Sequence, residues 1–367
     1  MRTIQVEDLA DIALGASLLG SGGGGDPYMG RLEAMAAIRK YGPVTMYDPE
    51  EIPDDWTVAK VSGVGAPSVY LEKGRNGSEY LRAIEAFQKV GRKLDALSPV
   101  ECGGLNSMVP IAAAAVAGLP MINGDGMGRA FPGLQQDTFC LADVEGCPYV
   151  ITDDKGNVSI LYTANADWTE KIGRDICAVT GGAVLAISAP MTGAQIKQFA
   201  VPRTIDLAQR LGRTIREVSD VEASSPEEHF LAQTGAVRLF RGKISDVLRE
   251  TRGGYNFGRA EMEGILEDKG HTAAVEFQNE NIFAEVDGTI AATVPDLISL
   301  VDSDTFRPVT TENLKYGKRV LVVALRCWDA WRSPAGVNLV GPGWFGLECP
   351  YVPVEERLGI ELPSLFQ

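Results

Sequence analysis

Between residues 123 and 132 the chain reads Asn-Gly-Asp-Gly-Met-Gly-Arg-Ala-Phe-Pro. Glycines alternate with other residues at 124, 126 and 128, directly after an apolar segment, Ile111 to Ile122. That spacing suits a strand end opening into a tight turn, where glycine tolerates positive φ and lets backbone approach a ligand. Asp125 adds a carboxylate and Arg129 a guanidinium fork. The plain alternative is a turn with a surface ion pair, but Phe131-Pro132 supplies an apolar wall that such a turn does not need.

Similar bends recur upstream. Val6 to Leu19 carries apolar residues at helical spacing and stops at a run from Gly20 through Gly22–Gly25 to Asp26-Pro27. A second helix is expected over 28–40, with Asp26 as N-cap and Pro27 in its first turn. A glycine run before a helix start can bind an anion. Here no GK[ST] follows and no strand precedes, so the reading is of a flexible, ligand-facing loop or a plain linker. Residues 57–64 read as a strand running into a glycine loop at 62–66, and 77–93 as a helix. Pro99 to Asn106 forms a second strand-to-glycine turn, followed by an alanine-rich helix, Val109 to Ala117, and a strand, Leu119 to Ile122. This βαβ pattern gathers ligand-facing loops at the carboxyl ends of strands. The loops 62–66, 101–106 and 123–132 are therefore expected to converge, with loop 20–26 closing over them.

From Tyr149 the texture changes. A hairpin is expected over 149–162, a helix over 168–179, a strand over 181–187, and helices over 192–199 and 205–211 broken at Pro202. After about residue 235 strands dominate: 237–243, 271–277, 282–286 paired with 290–294 around Asp287-Gly288, 297–301, 318–325 and 352–354. The fold class is an α/β N-terminal domain of βαβ units with a partly parallel sheet, then a β-rich α+β domain, divided at 168/169.

A net charge of −15 repels phosphate backbones and argues against nucleic acid. No basic-then-apolar leader opens the sequence and no apolar run reaches membrane-spanning length, so a cytoplasmic protein without a membrane partner is expected. Six cysteines form no CxxC pair.

The segments LLGSGGGGDPYMG, VECGGLNS and GDGMGRAFP, with FQNEN at 277–281, resemble the S-methyl thiohydantoin desulfurase family over nearly the whole chain. The resemblance implies two domains and removal of sulfur, as a thiol, from a thiohydantoin ring. It also implies association with hydantoinase or oxoprolinase subunits, so a non-catalytic subunit or ligand-binding regulator is the alternative to an enzyme. The shared motifs mark Gly22 to Asp26, Glu101, Asn106, Asp125, Arg129 and Asn279 as candidates.

Hydrolysis at the carbon between two ring nitrogens needs activated water, a holder for developing negative charge, and a proton for the leaving sulfur. Asp125 or Glu101 can deprotonate water, and Arg129 can hold the oxyanion or a substrate carboxylate. Gly23, Gly24 and Gly126 can lend backbone N–H groups, Asp26 sits at the loop's end, and Asn106 and Asn279 can read the ring's amide edges. The plain role for either carboxylate is a loop cap or an ion pair. Cys102 is either a nucleophile at a strand end or a buried thiol without a nearby His. The only histidines, His229 and His271, have no metal-ligand spacing; a divalent metal held by carboxylates and one His stays open as a cofactor. Trp328 and Trp331 suit a ring pocket, a homo-oligomer interface or the core.

Overall fold

The structure is a computed structural model described over residues 1–65, 67–75, 77–91, 93–218, 225–252 and 255–366. Ala66 of the expected 62–66 loop and Arg92 of the expected 77–93 helix lie outside the described residues.

The N-terminal half runs β1 (Arg2–Ile4), α1 (Leu9–Leu19), α2 (Pro27–Tyr41), β2 (Val44–Tyr47), β3 (Thr57–Gly65), α3 (Pro67–Lys73), α4 (Ser78–Val90), β4 (Ala96–Pro99), α5 (Val109–Ala117), β5 (Met121–Ile122) and β6 (Gly124–Asp125). It continues through α6 (Thr138–Leu141), β7 (Tyr149–Thr152), β8 (Val158–Leu161), α7 (Ala166–Val179), β9 (Ala183–Thr192), α8 (Gly193–Phe199), β10 (Val201–Pro202), α9 (Thr204–Glu217) and α10 (Pro226–Thr234). Eight strands form one mixed sheet in the order β1-β2-β5-β4-β3-β9-β7-β8. The pairs β2/β5, β5/β4 and β4/β3 are parallel, as the βαβ pattern requires. Pro202 does break the helical run, by forming the short strand β10 against β6.

The remainder is β11 (Val237–Arg252), β12 (Tyr255–Gly264), β13 (Thr272–Gln278), β14 (Glu280–Val286), β15 (Thr289–Thr293), β16 (Leu297–Asp302), β17 (Pro308–Val309) and β18 (Arg319–Leu325), then α11 (Pro334–Val340) and α12 (Val354–Leu358). Its eight-stranded sheet is antiparallel throughout, in the order β15-β14-β13-β12-β11-β18-β16-β17. Three sequence expectations need correction here. The strand expected at 352–354 is absent, because Pro353 precedes the first turn of α12 and fixes a helix start instead. β11 extends to Arg252, well past the expected end at 243, and β12 was not foreseen at all. The outer half of β11 is solvated on both faces and carries Arg and Glu, so no apolar alternation marks it as strand, whereas β12 does alternate buried Ala260 and Met262 with exposed Glu261 and Glu263, a signal the expectation passed over.

The two sheets are not independent bodies. Ile12 and Leu19 of α1, Ala208 and Leu211 of α9, and Leu297, Val301, Leu321 and Leu325 of the second sheet belong to one buried cluster. Ser299 Oγ donates to the Leu18 carbonyl across that boundary at 2.8 Å. A second core, around Phe240, Ile244, Met262, Val275 and Val322, fills the other face of the antiparallel sheet. The expected division at 168/169 falls within the first sheet's own stretch of chain, since β9 pairs with both β3 and β7.

Candidate functional site

The glycine bends do meet, and their contacts are backbone on backbone. Gly104 has φ of +61°, and a Cβ there would lie 2.4 Å from the Gly24 carbonyl carbon. A Cβ on Gly103 would lie 2.6 Å from the Ala130 nitrogen. The loop at 20–25 is also bonded to both domains: Leu105 N donates to Gly24 O at 2.9 Å, Asn281 N to Ser21 O at 2.7 Å, and Thr311 N to Gly22 O at 2.8 Å. The reading of this loop as a flexible flap is therefore corrected. It is a packed seam, because its carbonyls are already engaged from both sides.

Beside the seam lies a cavity of about 410 Å³ between the two sheets. Gly23–Gly25, the end of β3, Glu101, Asn106 and Phe131–Leu134 line one side; Arg249, Thr251, Tyr255, Asn256, Asn279, Glu280, Thr311 and Glu312 line the other. The expected residues on this wall are Gly23, Gly24, Gly25, Glu101, Asn106 and Asn279.

Glu101 is 5% exposed. Its Oε1 accepts from Asn106 Nδ2 at 2.8 Å and its Oε2 from Phe131 N at 3.3 Å. Asn106 in turn accepts from Gly63 N at 2.7 Å, so its amide holds Glu101 in place. Burial, and then the charge of Glu280, push the Glu101 carboxyl well above the usual carboxylate range. Asn279 bends the chain with φ of 61°. Its Oδ1 accepts from Asn256 N at 2.9 Å, while its Nδ2 donates to no described group.

Glu280, at the start of β14, was missed as a site residue. It is 2% exposed and its Oε1 accepts from Gly24 N at 2.9 Å. Its Oε2 has no hydrogen-bond partner. Burial pushes this carboxyl up to about 7, against the opposing pull of the Gly24 N–H and the Arg129 charge. A Cβ at Gly23 would lie 2.2 Å from Glu280 Oε1, so the glycine there makes room for the carboxylate. An internal acid thus occupies the place where an anion would sit on the loop. No local signal gave Glu280 away, because it lies in a strand and reaches the seam only through the packing of one domain on the other. Glu312, also on the wall, is raised by burial and leaves Oε2 without a partner.

The other expected site residues stand outside the cavity wall. Asp125 is fully buried; its Oδ1 accepts from Gly128 N at 2.6 Å and from Met127 N, so it braces the turn. Burial pushes its carboxyl up to about 6. Arg129 is likewise fully buried. Its Nη1 donates to the carbonyls of Pro295 and Asp296 at 2.7 and 2.9 Å, and its guanidinium lies over the Phe131 ring. Burial lowers its pKa to about 10. Gly126 packs against Asp137, with its missing Cβ 2.9 Å from that residue's Cβ. Asp26 caps α2, accepting from Tyr28 N at 2.9 Å. Cys102 is fully buried, and desolvation and Asp125 push its thiol well up, which disfavours the nucleophilic thiolate.

Trp331 is buried core, donating its ring N–H to Met127 O at 2.8 Å and meeting Phe131 edge-on; Trp328 packs edge-on to Phe366. His271 pairs with Asp287 on the second sheet, whereas His229 lies on α10. Among the described residues no group of three or more His, Cys, Asp or Glu is arranged to hold a metal ion, so the candidate divalent metal gains no ligand set. No described helix is long and apolar enough to cross a membrane.

Residues 7–163 match the S-Me-THD-like N-terminal domain and residues 164–354 the S-Me-THD-like C-terminal domain. The chain therefore belongs to the S-Me-THD-like family. It also resembles a crystal structure of a protein from Chromobacterium violaceum, with a TM-score of 0.81 and 24% identity, over 96% of this chain and 100% of that one. That likeness supports the fold alone. No curated protein matches the chain.

Proposed function

We propose that the protein is a hydrolase acting on a small S-methyl thiohydantoin ring, releasing methanethiol and leaving a hydantoin. The family, named for S-methyl thiohydantoin desulfurase, supports the reaction class. The observation that carries the reading is Glu280, a buried carboxylate that lines the cavity and keeps one oxygen unpartnered, with Glu101, also raised by burial, on the same cavity.

Two acids whose environments set different proton affinities can divide the work of acid and base. The ring carbon bearing sulfur is joined to one nitrogen by a double bond, so it is amidine-like. Ionised Glu280 takes a proton from water as oxygen bonds to that carbon. Glu101, kept protonated by burial and by Glu280, gives its proton to the ring nitrogen. As the carbon–sulfur bond breaks, Glu280 returns its proton to the departing methanethiolate. The new hydroxyl gives its proton to Glu101 as the carbonyl forms, and both acids are restored. Asn279 Nδ2 is available to a ring carbonyl. Asn106 acts as a positioning residue for Glu101, and Arg129, from behind the wall, favours ionised Glu280.

The test is methanethiol release from an S-methyl thiohydantoin by the purified protein alone. Release by the wild type and its loss in Glu280→Gln are expected. Release that needs a co-purified hydantoinase-type subunit would favour the non-catalytic alternative.

A further inference from the structure

The two eight-stranded sheets have four edge strands, β1, β8, β15 and β17, and three of them are guarded. β17 has two residues and begins with Pro308. β1 has three, and its Arg2 is ion-paired with Asp206 at 2.7 Å. β15 packs against α12, with Ala292 and Val354 in one buried cluster. The fourth edge, β8, is Val158-Ser159-Ile160-Leu161 continued by Tyr162, and it holds no proline and no charge. Val158, Ile160 and Tyr162 are exposed, Tyr162 by 65%. Such an edge is a template for another strand unless charge, proline or a cover blocks it.

The backbone of β8 faces outward at the same residues. Asp153 N donates to Asn157 O at 3.3 Å in the turn before the strand, and Thr163 N donates to Cys147 Sγ at 3.3 Å just after it. Both bonds put the odd-numbered residues on the β7 side. Alternation along the antiparallel ladder then turns the N–H and C=O of Val158, Ile160 and Tyr162 away from the sheet. Their side chains share one face. α7 overhangs the other face: its Ile176 packs on the same buried cluster as Leu161, and its Thr169 hydroxyl lies 2.5 Å from that of Thr163. The same flank of α7 carries Trp168, Ile172 and Val179, all exposed, in line with Ile176 at helical spacing.

We propose that β8 pairs with β8 of a second copy of this chain, antiparallel about a two-fold axis at Ile160, so that one sheet runs through the dimer. The strand's self-complementarity selects a second copy as the occupant. With Ile160 opposite its counterpart, Val158 falls opposite Tyr162, a β-branched residue against an aromatic, which is a favourable cross-strand pair. These are also the residues whose outward N–H and C=O such pairs exchange. An axis at that point, normal to the sheet, brings α7 against α7 on the other face, as an isologous contact requires. Because the strand is uncharged, two chains of net charge −15 meet here without apposing like charges in the ladder. A stable dimer needs about 800 Å² from each copy. Two aromatic rings that can each bury about 150–250 Å², the aliphatic side chains of Val158, Ile160, Ile172 and Val179, and the strand backbone supply an area of that order. None of these side chains lines the cavity, so the dimer leaves the cavity as it is.

The experiment is sedimentation velocity on the full chain at micromolar concentration. Wild type should sediment as a dimer. Ile160→Lys sets two ammonium groups against each other at the axis and should weaken association about a hundredfold or more. Val158→Lys should also weaken it, and adding Tyr162→Glu to the same chain should restore the dimer, because each new lysine then faces a glutamate of the other copy. Ile160→Cys treated with a mild oxidant should form an interchain disulfide, which a residue pair straddling the axis can reach; wild type under the same treatment should not. The cysteine variant decides the case where a lysine variant has lost its fold, as read from urea unfolding. A monomeric wild type, an assembly that folded Ile160→Lys leaves unchanged, failure of Tyr162→Glu to rescue Val158→Lys, or no cross-link in Ile160→Cys overturns the proposal.

Discussion

The loop at 123–132 and the turn at 279–281 face the same seam and do opposite things with their charged groups. In the loop, Asp125 and Arg129 turn inward: the acid binds two N–H groups of its own bend and the guanidinium binds two carbonyls of the second domain. In the turn, Asn279 spends its side-chain oxygen on the backbone, and both it and the next residue, Glu280, line the cavity. Conspicuous residues can therefore be the scaffold, and an acid inside an ordinary strand can face the ligand. The difference lies in which groups the cavity reaches: Asp125 and Arg129 stand behind its wall, and Asn279 and Glu280 form part of it.

The sharpest way to break this comparison is to exchange the acids' fates. Glu280→Gln should lower kcat/KM for methanethiol release by about a thousandfold, the scale of a lost general base, with the fold retained. Stability should respond as well. The folded-state value of about 7 lies above the ordinary 4.5, so Glu280's stabilising protonation is fully present below about 4.5 and is lost as pH rises through about 7. Urea unfolding of Glu280→Gln should thus show a flatter pH dependence between those values than wild type.

Next in size, Arg129→Met should cost about 2–4 kcal/mol, because it removes the donor to the carbonyls of Ala130, Pro295 and Asp296; a lowered urea midpoint is the readout. Asp125→Ala should cost about 1–3 kcal/mol for the two orphaned N–H groups. If Asp125 instead deprotonates water, the variant loses turnover with its fold intact; lost activity at unchanged stability would restore the loop as the catalytic element. The smallest effect is expected from Tyr255→Phe. It removes the hydroxyl's hydrogen bond to Glu170 but keeps the ring over Arg174, so about 1 kcal/mol or less of stability should go.

Much of the architecture is written locally. The parallel strands β3 and β4, helix α5 and the hairpin β7–β8 follow from apolar periodicity and glycine turns, and the cap at Asp26 follows from one residue before Pro27. The convergence of loops near Gly24, Gly104 and Ala130 was legible for the same reason, since each bend ends a strand or opens a helix. What was not legible depends on long-range packing. Glu280 meets Gly24 across 256 positions, and nothing in FQNEN distinguishes it from Glu276, which instead pairs with Arg259 on the sheet. The hairpin of β11 and β12 carries Arg249, Thr251, Tyr255 and Asn256 to the cavity, yet the outer half of β11 is solvated and has no buried face to announce it.

A base on the second domain's turn that drives the chemistry must show in the pH profile of kcat/KM for methanethiol release. An acidic limb near pH 7 is expected, with the rate falling as pH drops because Glu280 takes up its proton, and that limb should disappear in Glu280→Gln. A wild-type profile flat through pH 7, or a Glu280→Gln protein that keeps the wild-type rate and limb, would contradict it.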